Sequence, residues 1–183
     1  MPKVAILGYT NAGKSTIFNA ITQSTVLTEN KLFATLDVTT RRIRFPRERE
    51  LVLTDTVGFI RDLPDALVDA FKATLEECED ADLLIHVVDI ADSMMDAQIE
   101  SVSEILKEMN LDGHDRLVLL NKCDQVDPDT QTERCLEYGA YPVSALEPKT
   151  LKPVLELVES RLWFEEHPEQ PMNDMYPHAE VEE

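Results

Sequence analysis

At 183 residues, with 43% apolar and 29% charged side chains, the chain has room for one domain with a substantial core and a short tail. Its longest apolar runs, such as Leu83-Leu84-Ile85, are far too short to span a bilayer, and no apolar segment of secretory type opens it. A formal charge of −19 argues against a surface that grips DNA or RNA by general phosphate neutralisation. Seven acidic residues and no Lys or Arg fall from Glu165 onward, yet the body remains acidic, so any RNA contact is expected to be local. Three cysteines without a C-x-x-C pair (Cys78, Cys123, Cys135) point to a reduced, cytoplasmic setting.

Short apolar runs alternate with longer amphipathic stretches, which predicts an α/β fold with a sheet covered by helices on both faces. Val4-Ala5-Ile6-Leu7 reads as a buried strand. It runs into Gly8-Tyr9-Thr10-Asn11-Ala12-Gly13-Lys14-Ser15, a gapless G-x-x-x-x-G-K-[ST] phosphate loop. Gly8 and Gly13 let the backbone turn tightly, so that successive N–H groups at Asn11, Ala12, Gly13, Lys14, Ser15 and Thr16 can face phosphate oxygens. The helix expected over 15–21 adds its positive end. Lys14 can reach the β- and γ-phosphates, and the Ser15 hydroxyl can ligate Mg²⁺.

The stretch between that helix and the next strand carries Thr35, Thr39 and Thr40, any of which could complete Mg²⁺ ligation on spacing alone. Alternation over 40–45 predicts a half-exposed edge strand. A second run, 51–55, ends in Asp55 and opens Asp55-Thr56-Val57-Gly58. In this D-x-x-G pattern the aspartate can hold Mg²⁺ through water, and the Gly58 N–H can meet a γ-phosphate as a switch hinge. Phe59 stands where many nucleoside-triphosphate hydrolases with such a loop place a water-orienting glutamine. It can neither donate nor accept a hydrogen bond, so slow intrinsic turnover is expected.

Leu67, Phe71, Leu75 and Cys78 fall at helical spacing after Pro64. The run 83–88 ends in Asp89, and His86 within it reads as a core histidine. Met94 and Met95 open a stripe continued by Ile99, Val102, Leu106 and Met109. The run 117–120 ends in Asn121-Lys122-Cys123-Asp124, an N-K-x-D motif. A carboxylate at Asp124 can accept from guanine N1–H and the 2-amino group, where adenine has no donor. The Lys122 stem can lie over the base, and Asn121 suits tying loops together. After a short strand over 141–143, Ser144-Ala145 can offer an N–H to guanine O6. Leu151, Leu155, Val158 and Leu162 line a last helix. The expected domain covers 1–165, followed by an acidic, Pro-containing and disordered tail over 166–183.

These motifs in this order resemble the translation-factor-like branch of P-loop GTPases. Gly8 to Thr16, Leu32-Phe33-Ala34-Thr35-Leu36-Asp37, Asp55-Thr56-Val57-Gly58-Phe59-Ile60-Arg61-Asp62-Leu63-Pro64 and Ala70-Phe71-Lys72-Ala73-Thr74-Leu75-Glu76 are similar to the HflX family. The resemblance runs over about 3–163. It implies a Ras-like fold with a mostly parallel six-stranded sheet and one antiparallel edge strand, Mg²⁺-dependent GTP hydrolysis, and association with the large ribosomal subunit. It makes Thr35 the switch threonine, with Lys14, Thr35 and Gly58 around the reacting phosphate and Ser15, Thr35 and Asp55 around Mg²⁺. In some relatives an asparagine at the position of Asn11 helps hold K⁺; the plainer role is to shape the loop.

Val38 and the Ser144-Ala145-Leu146-Glu147-Pro148 continuation depart from the family pattern. The first strand starts almost at Met1, so an isolated G domain is expected. Two other readings stand beside the GTP hydrolase. One is an interaction module that binds GTP or GDP with negligible turnover; the other is a different translation-factor-like GTPase, such as a tRNA-modification or iron-transport relative.

Overall fold

A computed structural model describes residues 1–24, 39–45, 48–56, 58 and 76–163. Thr35, Val38, Phe59, Arg61, most of the stretch predicted helical over 67–78 and the tail after 163 lie outside the described residues. The described elements are β1 (Lys3–Leu7), α1 (Lys14–Ser24), β2 (Thr39–Arg44), β3 (Glu50–Asp55), β4 (Leu83–Asp89), α2 (Met95–Glu108), β5 (Arg116–Asn121), α3 (Pro128–Tyr138), β6 (Tyr141–Pro142) and α4 (Lys152–Trp163).

The six strands form one sheet in the order β2-β3-β1-β4-β5-β6. Only β2 runs antiparallel, against β3; the β3–β1, β1–β4, β4–β5 and β5–β6 pairs are parallel. This is the six-stranded, mostly parallel arrangement expected. Each central strand is apolar on both sides because both faces are covered. Val4, Ile6, Leu83, Ile85, Val87, Leu117 and Leu119 join Ile17, Phe18 and Ile21 of α1 and Val154 and Val158 of α4 in one cluster. The alternate residues face the other way: Ala5, Leu7 and Leu84 meet Val102 and Leu106 of α2, while Val88, Val118 and Leu120 meet Met95, Ile99 and Cys135.

Strand boundaries differ from expectation by about one residue, with β6 ending at Pro142 rather than 143, while α1 runs to Ser24, three residues beyond the expected end. The larger difference is α3, which hydrophobic spacing does not predict. Only Cys135 of this helix is buried, so its apolar stripe is one residue wide. Its caps are nevertheless explicit. The Asp127 side chain accepts the Thr130 N–H at 2.9 Å, Pro128 occupies the first turn, and Gly139 ends the helix at φ +58°.

Strand order turns at β1, whose chain leaves toward β2 and β3 while β4 lies on its other side. A crevice at the carboxyl ends beside β1 is where open α/β sheets bind ligands. The phosphate loop, Asp55, Asp89 and Asn121 all lie at those ends.

His86 is 1% exposed, within β4. Burial, helped by the Arg116 charge, pushes its pKa down from 6.5 to about 3. The folded protein therefore keeps His86 neutral while the unfolded chain protonates it near pH 6.5. Stability held above that pH is lost as pH falls toward 3. Between pH 7 and pH 5 this group should remove roughly 2 kcal/mol. Urea unfolding of His86→Leu should show a flatter stability slope across that interval than wild type; identical slopes would exclude His86 as the source.

Candidate nucleotide-binding site

The phosphate loop turns sharply between β1 and α1. The Ala12 N–H donates to the Tyr9 carbonyl at 3.2 Å, and the Ile17 N–H to the Gly13 carbonyl at 2.9 Å begins the helix. Two glycines are sterically required. A Cβ on Gly8 would stand 2.2 Å from the Val87 carbonyl oxygen, and one on Gly13 would stand 2.3 Å from Asn121 Nδ2. Gly8 holds φ +155°, Gly13 φ +93° and Asn11 φ +65°, so the loop passes three times through conformations that L-residues avoid. The Tyr9 hydroxyl donates to Ser101 Oγ at 3.0 Å, fastening the loop to α2.

At the foot of the loop three predicted residues converge. The Ser15 hydroxyl donates to Asp55 Oδ2 at 2.7 Å, while Asp55 Oδ1 is buried with no hydrogen-bond partner among the described residues. Lys14 is buried, and burial lowers its pKa, with the Asp55 charge acting against that shift. Burial raises the Asp55 pKa, opposed by the Ser15 hydroxyl and the Lys14 charge. A Cβ on Gly58 would come within 2.9 Å of Thr10 Cγ2 and 3.2 Å of Lys14 Nζ. The D-x-x-G glycine therefore lies directly against the phosphate loop. Thr56 holds that turn in place, its hydroxyl donating to the Ile6 carbonyl at 2.6 Å. Thr16 is exposed on the first turn of α1.

The N-K-x-D residues begin at the end of β5, two strands from β1 in the sheet. Asn121, 2% exposed, donates from Nδ2 to the Ala12 carbonyl at 2.9 Å and accepts the Ala145 N–H at 3.4 Å. It ties loops together, as expected. Lys122, at φ +62°, donates to the Asn11 carbonyl at 3.1 Å and pairs with Asp89 Oδ2 at 2.5 Å. Asp124 Oδ1 accepts from the Ser144 hydroxyl at 2.7 Å.

The loop after β6 has a local clasp in place of the glycine-containing continuation. The Thr150 hydroxyl accepts the Ser144 N–H at 2.9 Å and lies 2.7 Å from the Glu147 carbonyl, to which it can donate. Sequence reasoning gave no role to Tyr9, Thr56, Asp89 or Thr150. Asp89 carried the clearest signal, an acid ending an apolar strand in the manner of Asp55.

Residues 3–122 match the family model described as 50S ribosome-binding GTPase. The chain is 48% identical over 153 residues to a GTPase HflX of Magnetococcus marinus, covering 83% of this chain and 35% of that protein. It is 50% identical over 127 residues to the GTPase HflX of Escherichia coli, covering 69% and 30%. It thus spans about a third of the length of the curated relatives it matches. Among solved structures it is similar to a GTP-binding protein of Sulfolobus solfataricus in complex with GDP. That likeness has a TM-score of 0.65 and 34% identity, covering 89% of this chain and 51% of that one.

Removing the Asn121 amide should loosen the site even without ligand. Asn121→Ala is expected to lower the unfolding free energy of nucleotide-free protein by about 1–3 kcal/mol, since a buried carbonyl loses its donor. Urea denaturation reads this directly, and an unchanged midpoint would show that the Ala12 contact contributes nothing.

Proposed function

The chain belongs to the 50S ribosome-binding GTPase family, and on that footing we propose that it binds guanine nucleotide and hydrolyses GTP to GDP and phosphate as the G domain of an HflX-like, ribosome-associated GTPase. One observation carries the reading: buried Lys14, the Ser15 hydroxyl and the orphaned Asp55 Oδ1 meet where the phosphate loop and Gly58 come together. A buried carboxylate oxygen and a hydroxyl suit a hard divalent cation that keeps several waters. Ser15 and Asp55, with Thr35 as the proposed third residue, would hold Mg²⁺, which supplies charge neutralisation between phosphates.

The remaining work falls to the chain itself. N–H groups of residues 11–16 face the phosphates, and Lys14 neutralises charge near the bond that breaks. The Gly58 N–H binds the γ-phosphate and so reports its loss. Asp124, oriented by Ser144, accepts from guanine N1–H and the 2-amino group, while Lys122 covers the base. The Ala145 N–H is the proposed donor to O6; its long bond to Asn121 is weak enough to be exchanged. Asn11 is the candidate K⁺ residue. Large ribosomal subunits are the proposed partner of the whole protein, in the cytoplasm. Burial raises the Cys78 and Cys123 thiols to about 12 and about 11, which keeps them protonated and unreactive. The proposed domain covers 1–165, with 166–183 as its tail.

The test is GTP turnover by this chain with Mg²⁺, in KCl and in NaCl, with and without large ribosomal subunits. Turnover that Lys14→Ala abolishes supports the reading; tight GDP binding without any turnover would leave a nucleotide-dependent interaction module. Base choice gives a sharper measurement. Asp124→Asn presents an amide N–H that suits the 2-oxo group of xanthine, so GDP affinity should fall about 100-fold relative to XDP. A preserved preference for GDP would remove Asp124 from the base site.

A further inference from the structure

Asp89 ends β4 opposite Asn121 in the β4–β5 register. Its carboxylate is held from two sides. Oδ1 accepts the Ala91 N–H at 2.9 Å, which turns Oδ2 toward Lys122 Nζ at 2.5 Å. The same ammonium donates to the Asn11 carbonyl of the phosphate loop at 3.1 Å. The Asp89 side chain is only 14% exposed and that of Lys122 33%, so water screens this pair less than a surface pair.

The backbone around the pair makes the arrangement more demanding. Lys122 and Asn11 both have positive φ, at +62° and +65°, a conformation that disfavours residues with a Cβ. Strained residues of this kind persist when their surroundings hold them. Here one ammonium is shared between the ends of β4 and β5 and the loop after β1. A free lysine stem has rotamer freedom that must be lost when it settles on a ligand. With its ammonium already fixed, the Lys122 stem loses little of that freedom on binding.

We propose that Asp89 is a positioning residue for guanine nucleotide: it fixes the Lys122 ammonium against the phosphate loop, so that the lysine stem is set over the base plane before the ligand arrives. The inference rests on the guanine-nucleotide reading above. It adds a residue to which neither the motifs nor the family resemblance gives a role.

The experiment measures the Kd of a fluorescent GDP analogue, with Mg²⁺, for the full chain and for Asp89→Asn, Lys122→Met and the double variant. Asparagine keeps an acceptor for the Ala91 N–H and removes the charge that orders Lys122. Asp89→Asn should weaken binding about tenfold, with a melting temperature close to that of wild type. The double variant should bind no more weakly than Lys122→Met, because both changes remove one linked contact. Asp89→Glu, which restores the charge one methylene further out, should recover part of the affinity.

Binding by Asp89→Asn within about twofold of wild type would overturn the proposal, and so would penalties that multiply in the double variant. If Asp89→Asn does not fold, the Asp89→Glu affinity decides: no loss relative to wild type would reject a positioning role that depends on the carboxylate's place. Wild-type protein that fails to bind the GDP analogue would overturn the guanine reading together with this one. Tight wild-type binding with an indifferent Asp89→Asn overturns only the role of Asp89.

Discussion

The Asn121 amide spans the site and fixes its dimensions. Nδ2 donates to the Ala12 carbonyl across 109 residues of sequence, and Oδ1 receives the Ala145 N–H. The space that Gly13 lacks a side chain to fill is the space this amide occupies. Glycine at 13 and asparagine at 121 are thus one choice made at two places in the chain. Because of it, the loop that faces phosphates and the loops that face the base belong to a single body. A ligand that satisfies one end finds the other already in position, so less ordering remains to be done on binding.

Two lysines in the site stand in opposite electrostatic conditions. Lys122 has its carboxylate close by, in Asp89. Lys14 is buried beside an Asp55 that is itself buried, with one oxygen committed to Ser15 and the other orphaned. Burial weakens the charged form of both, and each opposes the other's shift only in part. Such a pair is poorly satisfied by the protein alone. A polyanion reaching Lys14 and a cation reaching Asp55 would each relieve it, which is why this disfavoured arrangement is read as a site and not as a structural ion pair.

Much of this was legible in the sequence because the fold writes its motifs at strand ends. Leu7, Asp55 and Asn121 each close a buried run, and the residues that follow carry the chemistry. The covered sheet made β4 and β5 conspicuous as buried, largely apolar segments, with His86 alone interrupting the run 83–88. α3 was not legible from periodicity, since a helix that buries only Cys135 leaves almost no stripe; its signals were the Asp127-Pro128 start and the Gly139 end. Thr150 escaped notice because its contribution is a hydroxyl clasp within a loop, which no spacing rule encodes. Asp89 was visible as a strand-terminal acid, but its partner is 33 residues away and only the parallel register brings the two together. The expectations for Thr35, Phe59 and the tail fall outside the described residues.

The two rims of the sheet are finished in different ways. At one, β2 carries Arg42 and Arg44, both paired with Glu50 on the neighbouring strand. At the other, β6 is two residues long and ends on Pro142, whose nitrogen has no hydrogen to offer. A sheet with open rims invites another chain to add itself, and charge, brevity and proline are the usual means of refusing it. Chains at high concentration, or newly made and still crowded, are thereby discouraged from zipping together edge to edge. The same finish suits a sheet that meets other molecules at its strand ends and not along its rims.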